Sequence, residues 1–315
     1  MRAGCFAEPR VIQLLNRRFV SFFYNTDAGP PQPNYKGKDT QAKAFLNGKT
    51  QNKFAFYAAF TAAGEPVGVT DVYANKDIVF DFLVELLRLN PDFDRYTPAE
   101  EATLARAKLE PGNGQAQLEA GQLLEELGRY QQARPCLQKA LEVAREPAPL
   151  AEAYRTLLRM ARYERDWKQL EMLCQTVEKH RLFSRLDLGA DLAAERSHQL
   201  KAEKKYQAMR QLMEAAIKQH PQSKRMSELR FQAGVACYFL NDKPWAYYHW
   251  CWVAENLPDD HLARRCYLAA AHEGMPYKNP ELDNYAAPLR GGRTDVIEGA
   301  YQQAKEAYKE LKGRF

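Results

Sequence analysis

No apolar stretch in this chain approaches the about 18 residues that a helix needs to cross a membrane, so a membrane partner is not expected. Charge of one sign is not in excess either: 45 Lys and Arg stand against 40 Asp and Glu, leaving +5 over 315 residues. Basic residues do not run together beyond pairs such as Arg17-Arg18, Lys204-Lys205, Lys224-Arg225 and Arg264-Arg265. Each pair reads as part of a solvated face, so nucleic acid is not expected as a partner. The opening MRAGCFAEPRV lacks the apolar core of a secretory leader, which predicts a cytoplasmic protein. The six cysteines, Cys5, Cys136, Cys174, Cys237, Cys251 and Cys266, form no CxxC pair. Scattered thiols at inward helix positions behave as small hydrophobes and suit a reducing compartment.

Motifs for common chemistries are missing as well. The six histidines make no HExxH. His249 and Cys251 stand two apart on a helix and point away from each other, so no metal centre is expected. Gly291-Gly292-Arg293-Thr294 has no preceding strand and no phosphate-loop lysine, and reads as a turn with an N-cap. No cofactor is expected.

What the chain does have is a repeat. Between Gly114 and Pro147, small residues Ala120, Gly121, Ala133 and Ala140 alternate with large ones at Leu124, Tyr130, Leu137 and Leu141. That pattern predicts two amphipathic helices folded at a turn of Gly128, Arg129 and Tyr130. Ala133 and Ala140, seven apart, face the first helix and allow close approach. A lone hairpin cannot bury its apolar face, so copies are expected. With Tyr130 as the marker, equivalents fall at Trp167, Tyr206 and Lys243, at spacings of 37, 39 and 37 residues. The fourth copy, Ser227 to Pro258, has Ala233-Gly234, Ala246, Trp250 and Val253 in matching places. The third has Ser197, Leu200, Met209, Met213 and Ala216. The second is degenerate, with Leu170, Cys174 and Val177. These residues resemble the tetratricopeptide repeat family over about residues 114–275, and the resemblance implies an all-α solenoid that binds proteins.

Composition changes near Asn90-Pro91-Asp92. Before it, Pro9 to Arg18 has helical spacing, and Phe19 to Asn25 reads as a strand. Phe54 to Thr61 and Val67 to Tyr73 read as a β-hairpin, and Ile78 to Leu89 as a helix. The insert at 28–53 reads as a long loop, functional or mobile. The segments Phe6-Ala-Glu-Pro9-Arg-Val11-Ile-Gln-Leu-Leu15-Asn16-x-x-Phe19-Val20 and Thr61-Ala-Ala-Gly64-Glu-Pro-Val67 resemble a thioredoxin-like domain. The resemblance implies an α/β fold whose Trp-Cys-x-x-Cys motif would fall before Met1. No proline stands near Ala55, where the family places its cis-proline, so the domain reads as degenerate in redox chemistry.

The expected fold class is an α/β thioredoxin-like domain at 1–95, all-α tetratricopeptide-like repeats at 96–275, and an irregular segment with a capping helix at 276–315. The expected function is non-enzymatic binding of a protein or peptide partner, with homo-oligomerisation as a further possibility. Candidate binding residues are Trp245, Tyr248 and Trp252, which share a helix face, with Arg230 and Arg264. The same aromatics also read as a wedge between neighbouring repeats. The alternative function is a thiol oxidoreductase or redox chaperone using Cys5 as a single catalytic thiol.

Overall fold

The computed structural model describes residues 9–18, 56–60, 66–71, 76–89, 95–180, 188–260 and 262–271. The chain divides into two compact units, one ending at Tyr96 and one starting at Thr97.

In the first unit, helix α1 (Pro9–Arg18) packs on helix α2 (Lys76–Leu89), burying Val11, Leu14, Phe80, Leu83, Leu86 and Leu87. Strands β1 (Phe56–Phe60) and β2 (Pro66–Asp71) pair antiparallel, with Phe56 opposite Asp71 and an irregularity after Ala59. Helix α2 also contacts β2. This two-stranded ladder is the whole of the sheet among the described residues. The expected α/β thioredoxin-like domain is therefore overturned: helices dominate, and one hairpin does not make the layered sheet of an α/β fold. The reading of Phe19 to Asn25 as a strand, the 28–53 insert and Cys5 lie outside the described residues.

Among its described residues, the second unit has helices and no strand. Helix α3 (Pro98–Leu109) starts at a capping box. Thr97 Oγ1 accepts from the Glu100 N–H at 3.3 Å, and the Thr97 N–H donates to Glu100 Oε2 at 2.8 Å. Four hairpins follow: α4 (Gly114–Glu126) with α5 (Tyr130–Val143), α6 (Pro147–Tyr163) with α7 (Trp167–Glu178), α8 (Gly189–Ala202) with α9 (Tyr206–Gln219), and α10 (Met226–Phe239) with α11 (Lys243–Asn256). Helix α12 (Ala263–Ala271) packs on α11. The irregular segment and capping helix expected at 276–315 lie outside the described residues.

Each second helix begins at the residue that marks the repeat: Tyr130, Trp167, Tyr206 and Lys243. The reason is one shared turn. Gly128, Arg165, Lys204 and Asn241 have φ of 72°, 55°, 56° and 60°, all in the left-handed region. The next residue's N–H then reaches back five positions. Arg129 donates to Leu124 (2.8 Å), Asp166 to Ala161 (2.9 Å), Lys205 to Leu200 (2.8 Å) and Asp242 to Cys237 (2.9 Å). This closes the first helix with its end carbonyls satisfied and starts the second in a fixed direction.

Packing within hairpins follows the small residues. Ala133, Leu137 and Ala140 are fully buried. A Cβ on Gly121 would stand 2.6 Å from Leu137 Cδ2, and one on Gly234 would stand 2.3 Å from Trp250 Nε1. Those glycines occupy the same place, seven residues before the left-handed residue. Between hairpins, each second helix packs on the next first helix. The first helices α4, α6, α8 and α10 also touch in succession and form one continuous layer.

Candidate functional site

The layer of first helices carries charges at positions that meet across the hairpins. Arg159 on α6 forks onto Glu125 on α4, Nε to Oε1 at 2.8 Å and Nη2 to Oε2 at 2.9 Å. Arg155 on α6 reaches Asp191 on α8 at 3.0 Å and its own helix's Glu152 at 2.6 Å. Arg162 pairs with Glu195 on α8 at 2.9 Å. Arg225, just ahead of α10, pairs with Glu195 at 3.0 Å and Glu228 at 2.8 Å, and stands 3.8 Å from Asp191. His198 Nε2 lies 3.2 Å from Arg162 Nη1 and 3.4 Å from Glu228 Oε1. A neutral ring nitrogen can accept from the arginine or donate to the carboxylate, not both, so the His198 tautomer selects its partner.

Burial and neighbours set the protonation states along this ladder. Desolvation, reinforced by Arg162, holds His198 down to about 4, so its ring is neutral at physiological pH. Burial also raises Asp191 against the pull of Arg155 and Arg225. Glu228 is driven the other way: burial opposes its charge, but Arg225, His198 and Arg162 together hold its carboxyl well below the usual range. Burial weakens Arg159's hold on its proton, and Glu125 more than offsets this. Four arginines thus reach three carboxylates, Glu125, Asp191 and Glu195, across three inter-hairpin seams.

The sequence does not single out these residues, because charges on helices usually mark solvated faces. One signal was present. Glu125 and Arg159 are 34 positions apart and Arg155 and Asp191 are 36, so opposite charges recur at about one repeat.

The residues that the sequence does single out sit at the last hairpin. The Arg230 guanidinium lies 3.8 Å from the Trp252 ring centroid and 5.7 Å from that of Tyr248. Trp245 meets Tyr248 edge-on at 5.3 Å. Tyr248 is only 4% exposed and Arg230 7%, whereas Trp245 and Trp252 are half-buried. Trp250 is fully buried, its indole N–H donating to the Phe231 carbonyl at 3.2 Å. Much of the aromatic excess therefore fills the core between α10, α11 and α12. Arg264 belongs to α12, and its side chain lies outside the described residues.

His249 is fully buried in this region, and its ring nitrogen, the Cys237 Sγ and a Glu214 carboxylate oxygen lie within 4.8 Å of one another. Compared with protein-family models, curated proteins and solved structures, the chain matches none. Among the described residues, no helix is long and apolar enough to cross a membrane.

Proposed function

We infer that the helical unit is a tetratricopeptide-like interaction module that holds a segment of another protein along its layer of first helices. The observation that carries this reading is the continuous layer formed by α4, α6, α8 and α10, each contributing polar side chains to one face. Stacked hairpins present such a face across several units, which suits an extended or helical peptide. The half-buried Trp245 and Trp252 supply aromatic anchors beside it, with Arg230 behind them. Tyr248 supports Trp245 from the core. Charged ladder residues are already paired, so a ligand of mixed charge that exchanges pairs fits better than one of a single sign.

Site-specific photo-crosslinking tests the reading. A crosslinker at Gln122, one turn before Glu125 on α4, should capture the partner. The same group at Met172, 54% exposed on the second helix α7, should not. Equal capture at both positions would refute a first-helix binding face.

A further inference from the structure

Three donors of different chemistry converge between the last two hairpins. Glu214 comes from α9, Cys237 from α10 and His249 from α11, and their ligand atoms all lie within 4.8 Å of one another. Cys237 and His249 are fully buried, and Glu214 stands at the partly exposed edge. The three residues fit no spacing motif, because three separate helices bring them together.

We propose that Glu214, Cys237 and His249 form a binding site for a thiophilic divalent transition metal, zinc above all, which ties the third hairpin to the fourth. A tetrahedral zinc holds sulfur at about 2.3 Å and nitrogen or oxygen at about 2.0–2.2 Å, which places its ligands roughly 3.3–3.7 Å apart. The donors, within 4.8 Å of one another, need to close by at most about 1.5 Å, and rotamer adjustment of Glu214 at the partly exposed edge supplies its own share of that movement. Thiolate, imidazole and carboxylate together suit zinc or cobalt and do not suit the hard cations magnesium and calcium. Three protein ligands leave the fourth position to water.

The surrounding charges accommodate a dication. Arg210 Nε pairs with Glu214 at 2.8 Å, and its Nη1 pairs with Asp242 at 2.7 Å. With Cys237 as thiolate, Glu214, Asp242 and Cys237 set three negative charges against Arg210, Arg230 and one divalent ion, within one charge of neutrality. Burial, with Arg230 and Arg210 nearby, holds His249 down to about 3, so the imidazole is already in its coordinating neutral form. Burial pushes the Cys237 thiol up to about 12, so the metal must displace its proton on binding. Glutamate at the partly exposed edge gives the ion a route in. Residues that only fill the core would take up no metal, which makes the two roles separable.

The test is a cobalt titration of the full chain, reduced and stripped of metal by a chelator. One Co²⁺ per chain is expected, with thiolate-to-cobalt charge-transfer absorption in the near ultraviolet, and Zn²⁺ should displace it. Cys237→Ser should remove that absorption, while Cys251→Ser should keep it. Glu214→Gln should leave the circular dichroism spectrum unchanged and weaken Co²⁺ binding roughly tenfold or more, since changes one layer beyond the ligands already cost about that much. Absence of the charge-transfer band, or its survival in Cys237→Ser, overturns the proposal. If Cys237→Ser does not fold, the Glu214→Gln titration decides, and wild-type affinity there is equally fatal.

Discussion

At the scale of single residues, close approach and buried charge give the sharpest expectations. Gly234→Ala would drive a methyl into the Trp250 indole and disturb its bond to Phe231. It should destabilise the protein by about 1–3 kcal/mol in urea unfolding, the usual cost of overpacking. His198 gives a pH dependence. Its folded pKa of about 4 lies below the unfolded value of about 6.5, so the unfolded chain takes the proton first as pH falls. Stability from this group is complete above pH about 6.5 and is lost progressively down to pH about 4, on the order of 3 kcal/mol in all. Arg162, Glu195 and Glu228 face the ring from α6, α8 and α10 and set the scale of the loss. Melting curves at pH 7, 5.5 and 4.5 should show it, and His198→Gln should flatten it over that window. The small residues were legible in the sequence because a missing side chain at a fixed helical spacing means close packing. The ladder was not, since a surface charge and a seam charge look alike until the helices are placed.

At the scale of elements, the four turns share one geometry but not one residue. Only the first has glycine at the left-handed position; Arg165, Lys204 and Asn241 hold it without that freedom. Lys204→Gly should therefore raise stability by about 0.5–1 kcal/mol, as the relief of left-handed strain outweighs the added freedom of the unfolded chain. Gly128→Ala should lower it by a comparable amount. Chemical denaturation of both variants checks the pair. Hairpin boundaries were readable because a turn marker and a helical apolar period coincide within a few residues of sequence. The first unit was not readable in the same way. A period of two tells that Phe56–Phe60 can pair as a strand, but the size of a sheet is set by partners distant in sequence. The α/β expectation added strands that local pattern cannot count. The metal donors went unread for a related reason: Glu214, Cys237 and His249 meet only once three helices are packed.

At the scale of the whole helical unit, the ladder should couple neighbouring hairpins. Arg225 bridges carboxylates of α8 and α10, so Arg225→Ala leaves Glu195 and Asp191 in buried surroundings with less countercharge. Hydrogen exchange should speed up in α8 and α10 together, while α4 and α5 keep wild-type protection. Faster exchange confined to α10 alone would show that the seam transmits nothing. The ladder's hydrogen-bonded cross-hairpin pairs also share a short reach, joining residues 30 to 36 positions apart. Native structure in this unit is thus assembled from small loops, whose closure is cheap in chain entropy and fast in time. Any hairpin can serve as the nucleus, and ordered structure spreads from it to the next. Refolding of this unit should have no slow phase that waits on distant segments to find each other.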